Sequence, residues 1–217
     1  MASNNYIYKM SNAGGMATVT RYTDMLAGNT TWNPWEPDGA YDSLATVTVP
    51  SGGAASVTIA GIPNTYKHLQ LRVFAQSNRS SFSVDNLFGT VNGDSSASYS
   101  YHQIQASTST TTAASAGGNA SQTALTIGGI NTGVATNVFT ACVVDYLDYA
   151  STSKFKIIRS LNGYDVNGTV GTNSFGGTVG LYSNLYMKTD PITSLTFTVL
   201  SGTAFTQHSQ FTLYGVK

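Results

Sequence analysis

Short runs of alternating apolar and polar residues recur from about Ala45 to the end of the chain, and they constrain the fold more than any other feature. In "HLQLRVF", Leu69, Leu71 and Val73 occupy every second position. Successive side chains of a strand point to opposite sides, so these three share one face. Turn signals such as "PSGG" and "VNGD" separate the runs. The pattern predicts an all-β sandwich or barrel of many short strands, and no stretch has sustained helical periodicity.

The same alternation predicts which side chains form the core. The further positions expected to face inward are Ala45, Val47, Val49, Val57, Ile59, Leu195, Phe197, Val199, Phe211 and Leu213. In the run "NVFTACVVDYL", apolar residues occupy both odd and even positions, which lie on opposite faces of a strand. It therefore predicts a central strand that is covered on both faces, with Cys142 as a small buried apolar residue.

The stretch "DYASTSKFKIIRSLNGYD" predicts the end of one strand, a polar connection over residues 149–153, a second strand and another turn at "LNGYD". The second strand, "KFKIIRSL", is expected to pair with the strand before it. Hydrophobicity places Phe155, Ile157 and Leu161 inward, whereas Lys154, Lys156 and Ser160 are expected to face outward. A low-complexity polar segment at 107–122 predicts an exposed, mobile loop.

The first 43 residues differ from the rest, because they are rich in aromatic residues and methionine but alternate weakly and contain many turn formers. We predict that residues 1–43 form an extended arm and that residues 44–217 form the sandwich. About 40 extended residues span on the order of 130 Å, which is enough to cross a neighbouring molecule. An N-terminal hairpin that packs only on its own sandwich is the alternative. The arm residues expected at an interface are Tyr6, Tyr8, Met10, Met16, Tyr22, Met25, Leu26, Trp32 and Trp35.

Charge is scarce and balanced, since ten basic residues offset ten acidic ones and charged residues make up 9% of the chain. Such a chain has no field that would concentrate nucleic acid or an acidic membrane, and we expect neither as a partner. A near-neutral surface rich in Ser and Thr suits a chain whose faces are covered by neighbours. The N-terminus lacks the basic start and apolar run of a signal peptide, so we expect synthesis in a cytoplasm.

No catalytic or metal-binding pattern is present in the sequence. Glu36 is the only glutamate, and with Asp38 it lies in "NPWEPDG", which is typical of a polar turn. His68, His102 and His208 lack the spacing of zinc ligands. We therefore expect no enzyme activity, no cofactor and no metal.

Sugar binding is the one function that the residues by themselves leave open. Thirteen tyrosines and two tryptophans on a β scaffold offer rings on which sugars stack. The candidate contacts in "NGDSSASYSYHQ" are Tyr99, Tyr101, His102 and Gln103. Cross-strand packing of these tyrosines within the sheet is the alternative.

Several stretches together resemble small structural proteins of tailed bacteriophages, especially those of aquatic hosts including cyanobacteria. The stretches are "YKMSNAGGMATVTRYTDMLAGN", "YKHLQLRVFAQSNRS", "NGDSSASYSYHQI", "DYASTSKFKIIRSLNGYD" and "SLTFTVLSGTAFTQHSQFTLYGVK". The resemblance implies a jelly-roll sandwich that decorates or cements the outside of a capsid, binds the major capsid protein and itself, and assembles as a homotrimer. It brings no catalytic or cofactor residues. A tail-associated module that binds a receptor or glycan is the alternative that the resemblance leaves open.

Overall fold

The computed structural model of the chain describes residues 6–10, 17–21, 40–80, 82–108, 112–134, 136–167 and 176–217. The chain divides into two compact units, Met1–Asp42 and Ser43–Lys217.

In the first unit, strands β1 (Tyr6–Met10) and β2 (Ala17–Arg21) pair in antiparallel fashion. Strands β1 and β2 therefore run in opposite directions and are not parts of one extended strand. The predicted arm residues Tyr6, Tyr8 and Met10 lie in β1. The other six, Met16, Tyr22, Met25, Leu26, Trp32 and Trp35, lie outside the described residues. The interfacial arm thus stays a prediction.

From Tyr41 onward the described residues form twelve further strands and no helix. The strands are β3 (Tyr41–Thr48), β4 (Val57–Ala60), β5 (His68–Ala75), β6 (Val84–Val91), β7 (Tyr99–Thr108), β8 (Thr112–Gln122), β9 (Leu125–Asn131), β10 (Thr140–Tyr146), β11 (Lys156–Asp165), β12 (Gly177–Tyr186), β13 (Ser194–Val199) and β14 (Gln210–Val216).

These strands form two antiparallel sheets packed as a sandwich, which confirms the predicted fold class. The larger sheet has the order β3-β14-β5-β10-β11-β12-β7-β8 and the smaller sheet has the order β4-β13-β6-β9. Without the pairs β7–β8 and β11–β12, the sheets have the orders β3-β14-β5-β10 and β4-β13-β6-β9. If these eight strands are renumbered 1 to 8 along the chain, the orders become 1-8-3-6 and 2-7-4-5. That is the jelly-roll arrangement. The two extra pairs extend one side of the larger sheet.

The core lies between the sheets and follows the predicted alternation. Leu69, Leu71, Val73, Phe211 and Leu213 are all buried. Phe211 stacks on Phe197 with ring centroids 5.3 Å apart and meets the edge of Phe205 at 5.0 Å. Ala45, Val47 and Val199, which were also expected inward, are partly buried and pack against this core.

Strand β11 has the opposite orientation to the one that its hydrophobicity predicts. Phe155, Ile157 and Leu161 are exposed, whereas Lys156 and Ser160 are buried. Of the residues assigned outward, only Lys154 lies at the surface. The strand pairing explains the error, because Leu161 lies opposite Val143 of β10 and the core positions of β10 are Cys142, Val144 and Tyr146. Directly opposed residues share a face.

Three further predictions from the sequence need correction. "LNGYD" is not a turn, since all five residues belong to β11 and pair with β12. The described residues of the segment 107–122 are not a loop, because 107–108 belong to β7 and 112–122 form β8, which pairs with β7. Strand β10 is central and pairs with β11 as expected, but its outward residues Ala141 and Val143 are exposed. The larger sheet is therefore covered by the smaller sheet on one face only.

Candidate functional site

The inward face of β10, β11 and β12 carries polar residues because it completes the edge of the smaller sheet. Strand β9 ends that sheet, so one side of its backbone lacks a strand partner there. Asn184 accepts a hydrogen bond from Thr126 N (2.9 Å) and donates one to Thr126 O (3.1 Å). Ser160 Oγ donates to Ile127 O at 2.5 Å. These side chains therefore take the place of a fifth strand.

Two more inward residues extend this contact along β9. Asn162 Nδ2 donates to Gly129 O at 2.7 Å, and Asn131 N donates to Thr140 Oγ1 at 2.6 Å. The approach is so close that a Cβ at Gly128, where φ is +151°, would overlap Asn162 Oδ1. We call Thr140, Ser160, Asn162 and Asn184 the β9 cap. All four are buried.

Lys156, at the start of β11, is buried because the even-numbered residues of this strand face inward. Its ammonium donates to the backbone carbonyls of Ser151 (2.5 Å), Lys154 (2.9 Å) and Thr189 (3.1 Å). All three ammonium donors are thus used. Burial lowers the pKa of Lys156, and the negative charges of Asp190 and Asp148 oppose that shift. Lys156 therefore joins the 149–155 connection to the segment before β13.

On the other side of β11 and β12, Leu161 and Leu181 point away from the core. Ile104, Leu181, Leu161 and Val143 lie directly opposite one another on four adjacent strands, β7, β12, β11 and β10. Their exposures are 64%, 51%, 56% and 38%. Four large aliphatic side chains thus form one row across the outer face of the larger sheet.

Other exposed apolar residues flank this row on the same face. Val179 and Phe74 lie in the next row on one side. The next row on the other side is polar, with Asp145, Arg159 and Ser183, and Ile157 lies beyond it. We call the six residues Phe74, Ile104, Val143, Leu161, Val179 and Leu181 the apolar face. A shallow groove of about 230 Å³ lies between Ile104, Leu161, Val179 and Leu181. A contiguous exposed apolar patch on one face of a sheet marks an interaction surface.

The charges around the apolar face cancel. On the outer side of the sheet Asp145 lies directly opposite Arg159 on the neighbouring strand. Arg72 and Asp165 occupy outward positions at the periphery. Among the residues that the structure describes, these two basic and two acidic side chains balance, so long-range electrostatics from them neither attract nor repel a partner.

The predicted sugar contacts do not converge on one surface. Tyr99 is fully buried, donates to Asp94 O at 2.8 Å and stacks on Tyr186 with centroids 4.9 Å apart. Burial raises the pKa of Tyr99 to about 12. His102 is exposed, but it points to the opposite face from Tyr101 and Gln103. This geometry removes Tyr99 from the candidate set and separates His102 from the other two.

Polar groups near Tyr101 are already engaged with one another. Asn119 Nδ2 donates to the Tyr101 hydroxyl at 3.3 Å, and the Tyr182 hydroxyl donates to Gln105 Oε1 at 2.8 Å. A ligand at this position competes with internal hydrogen bonds, so the geometry favours cross-strand packing of the tyrosines.

The remaining chemical features give no second candidate site within the part of the chain that the structure describes. Glu36 and Asp38 lie outside the described residues. Among the described residues, no group of His, Cys, Asp and Glu is arranged to hold a metal ion. The described portion also contains no helix that is long and apolar enough to cross a membrane.

Comparison with known proteins gives no relative, because no family model, no curated protein and no solved structure matches this chain.

The sequence interpretation missed the apolar face as a feature because it assigned each strand's parity from hydrophobicity alone. The signal that identifies the face is the pairing of β10 with β11. Once Cys142, Val144 and Tyr146 are placed inward, antiparallel pairing carries Val143 and Leu161 outward together.

Proposed function

We propose that this protein is a structural component of a bacteriophage particle that decorates and stabilises the capsid. The observation that carries the proposal is the apolar face, a broad exposed surface on a strand-rich scaffold. Exposed apolar surface is costly in water, and its removal is worth about 25 cal/mol per Å². A chain with this surface is most stable when another protein covers it.

The rest of the molecule is consistent with a mechanical role. The jelly roll is closed by two sheets whose core contains stacked aromatic rings, and the free edge of β9 is held by side chains. The scarcity of charge suits close packing among neighbours. The resemblance to tailed-phage structural proteins is the basis on which we propose the major capsid protein and further copies of this chain as those neighbours. Three-fold assembly on the capsid exterior stays a prediction.

Copy number tests this proposal directly. Gel densitometry of purified particles should show this chain at hundreds of copies, comparable to the shell protein, because a decoration protein covers the whole lattice. A few dozen copies or fewer would place the chain in the tail. Absence from purified particles would refute the proposal.

The tail alternative has a separate test in sugar binding. We expect no glycan-array signal that depends on Tyr101, because its side chain is only partly exposed and lies on the opposite face of β7 from His102. Binding that is abolished by Tyr101→Ala, but not by substitution of the outward-pointing His102, would favour the receptor-binding role.

A further inference from the structure

We propose that the partner of the apolar face is the same face of a second copy of this chain. This proposal rests on the proposed function in one respect, because it names the partner that covers the same apolar face. It is based on the chemistry, the charge and the size of that surface.

The chemistry of the face fits a protein surface rather than a sugar or a lipid. Its central row is aliphatic, and aliphatic side chains neither stack on pyranose rings nor hydrogen-bond to hydroxyls. The basic residues Arg72 and Arg159 are balanced by Asp145 and Asp165, so the face has no excess of positive charge to attract anionic lipid. Two stacked sheets, by contrast, pack apolar faces against one another about 10 Å apart.

The charge pattern also permits contact between two identical faces. A face with net charge repels its own copy, whereas this one has equal numbers of acidic and basic residues. Asp145 and Arg159 lie side by side on β10 and β11. A two-fold axis that runs along the strands between β10 and β11 would therefore place an opposite charge of the second copy near each of them. A contact between like faces joins copies in pairs.

The area is sufficient for a specific contact. Five strands about 4.8 Å apart give a width of about 24 Å. Seven residues of β11, from Ile157 to Gly163 and including the charged position Arg159, give a similar length at about 3.4 Å each. The projected area is therefore about 600 Å² per copy, or about 1,200 Å² for the pair. Stable specific interfaces bury about 1,200–2,000 Å² in total. The grooved face next to Leu161 and Leu181 adds accessible area to this projection.

Sedimentation velocity of the purified full-length protein, over a hundredfold range of concentration, tests the pairing. The wild-type protein should form a reversible dimer or a higher even oligomer. Leu161→Lys should raise the dissociation constant at least about 100-fold, since it places two charges at the centre of an isologous contact. Leu200→Lys is the matched control. The exposed fraction of Leu200, 54%, is close to the 56% of Leu161, but Leu200 lies just after β13 of the smaller sheet. It should leave the dissociation constant unchanged.

A second measurement keeps the test independent of the variants. Covalent surface labelling of the wild-type protein should fall at Leu161 and Leu181 as concentration rises, and should stay constant at Leu200. A monomer at every concentration overturns the inference, whether the face is bare or is covered by another part of the same chain. An oligomer of odd order, such as the homotrimer that the phage resemblance implies, also overturns it, because pairing through one face gives even numbers of copies. So does an oligomer that Leu161→Lys does not weaken.

Different results would contradict the self-pairing and the proposed decoration function. If the pure protein is monomeric but is abundant in purified particles, the self-pairing is wrong and the decoration role is retained. If the protein dimerises through Leu161 but is absent from particles, the pairing is retained and the decoration role is wrong.

Discussion

Replacement of Asn184 by alanine tests whether the β9 cap stabilises the sandwich. Asn184 is 1% exposed and forms two hydrogen bonds to one residue of β9, accepting from Thr126 N and donating to Thr126 O. Alanine removes both partners and leaves a buried N–H and a buried carbonyl unsatisfied. Each such group costs about 1–3 kcal/mol. We therefore expect Asn184→Ala to lower the free energy of unfolding by about 2–6 kcal/mol.

Urea unfolding followed by circular dichroism measures this loss. Ser160→Ala should cost less than Asn184→Ala, because Ser160 forms a single hydrogen bond to Ile127 O. Asn119→Ala is the control, since Asn119 is exposed and its contact with the Tyr101 hydroxyl is long at 3.3 Å. We expect the control to change stability by less than about 0.5 kcal/mol.

Hydrogen exchange locates the effect within the fold. In Asn184→Ala the amide of Thr126 should lose more protection than that of Leu71, which lies in the centre of the larger sheet. A stability loss no larger than that of Asn119→Ala would refute the idea that the inward polar residues replace a missing strand. Unchanged protection at Thr126 would refute it too.

Three other properties of the chain can be checked in the same assays. Lys156→Met should lower the free energy of unfolding by about 2 kcal/mol, because three backbone carbonyls lose their donor, and an unchanged urea midpoint would contradict this. Burial by itself would raise the pKa of Asp94, but hydrogen bonds from Ser96 and the ammonium of Lys188 outweigh it and hold the pKa below 3.8. The stabilisation from Asp94 is therefore complete above about pH 4 and is lost as the pH falls through the lowered pKa. The stability of Asp94→Asn, measured by urea unfolding, should fall less in acid than that of the wild-type protein. An identical pH dependence of the two proteins would exclude a stabilising role for the Asp94 carboxylate. Cys142 is 3% exposed and burial raises the pKa of its thiol to about 12, so a thiol reagent should label it only after unfolding, and rapid labelling of the native protein would show that β10 is accessible.

The fold class could be predicted from the sequence because alternation is a local property. Leu69, Leu71 and Val73 alternate with His68, Gln70 and Arg72, and this pattern alone assigns both strand and face. Turn chemistry was equally informative at "VNGD", where Asn92 and Gly93 both adopt positive φ. Each of these signals lies within a few residues.

The candidate site could not be predicted in this way because its polarity depends on a distant strand. In β11, each parity contains both polar and apolar residues, so hydrophobicity alone does not decide which face is buried. The presence of β9 decides it, because its unpaired backbone needs the side chains of Ser160 and Asn162. Phe155, Ile157 and Leu161 then have to point outward.

The "LNGYD" error has the same origin. Asn-Gly is a strong signal for a tight turn when it lies between two strands. Here the side chain of Asn162 reaches Gly129 O of β9, and Gly163 lies opposite Val179 within a continuous pairing of β11 with β12. Tertiary hydrogen bonds thus override the local preference of the pair for a turn.

The central claim is that the outward apolar face of the larger sheet is a contact surface in an assembled particle. A particle reconstruction with this chain traced in place measures this most directly. We expect the chain on the outside of the capsid, with Leu161 and Leu181 buried against protein. A traced chain whose apolar face points into solvent would contradict the claim.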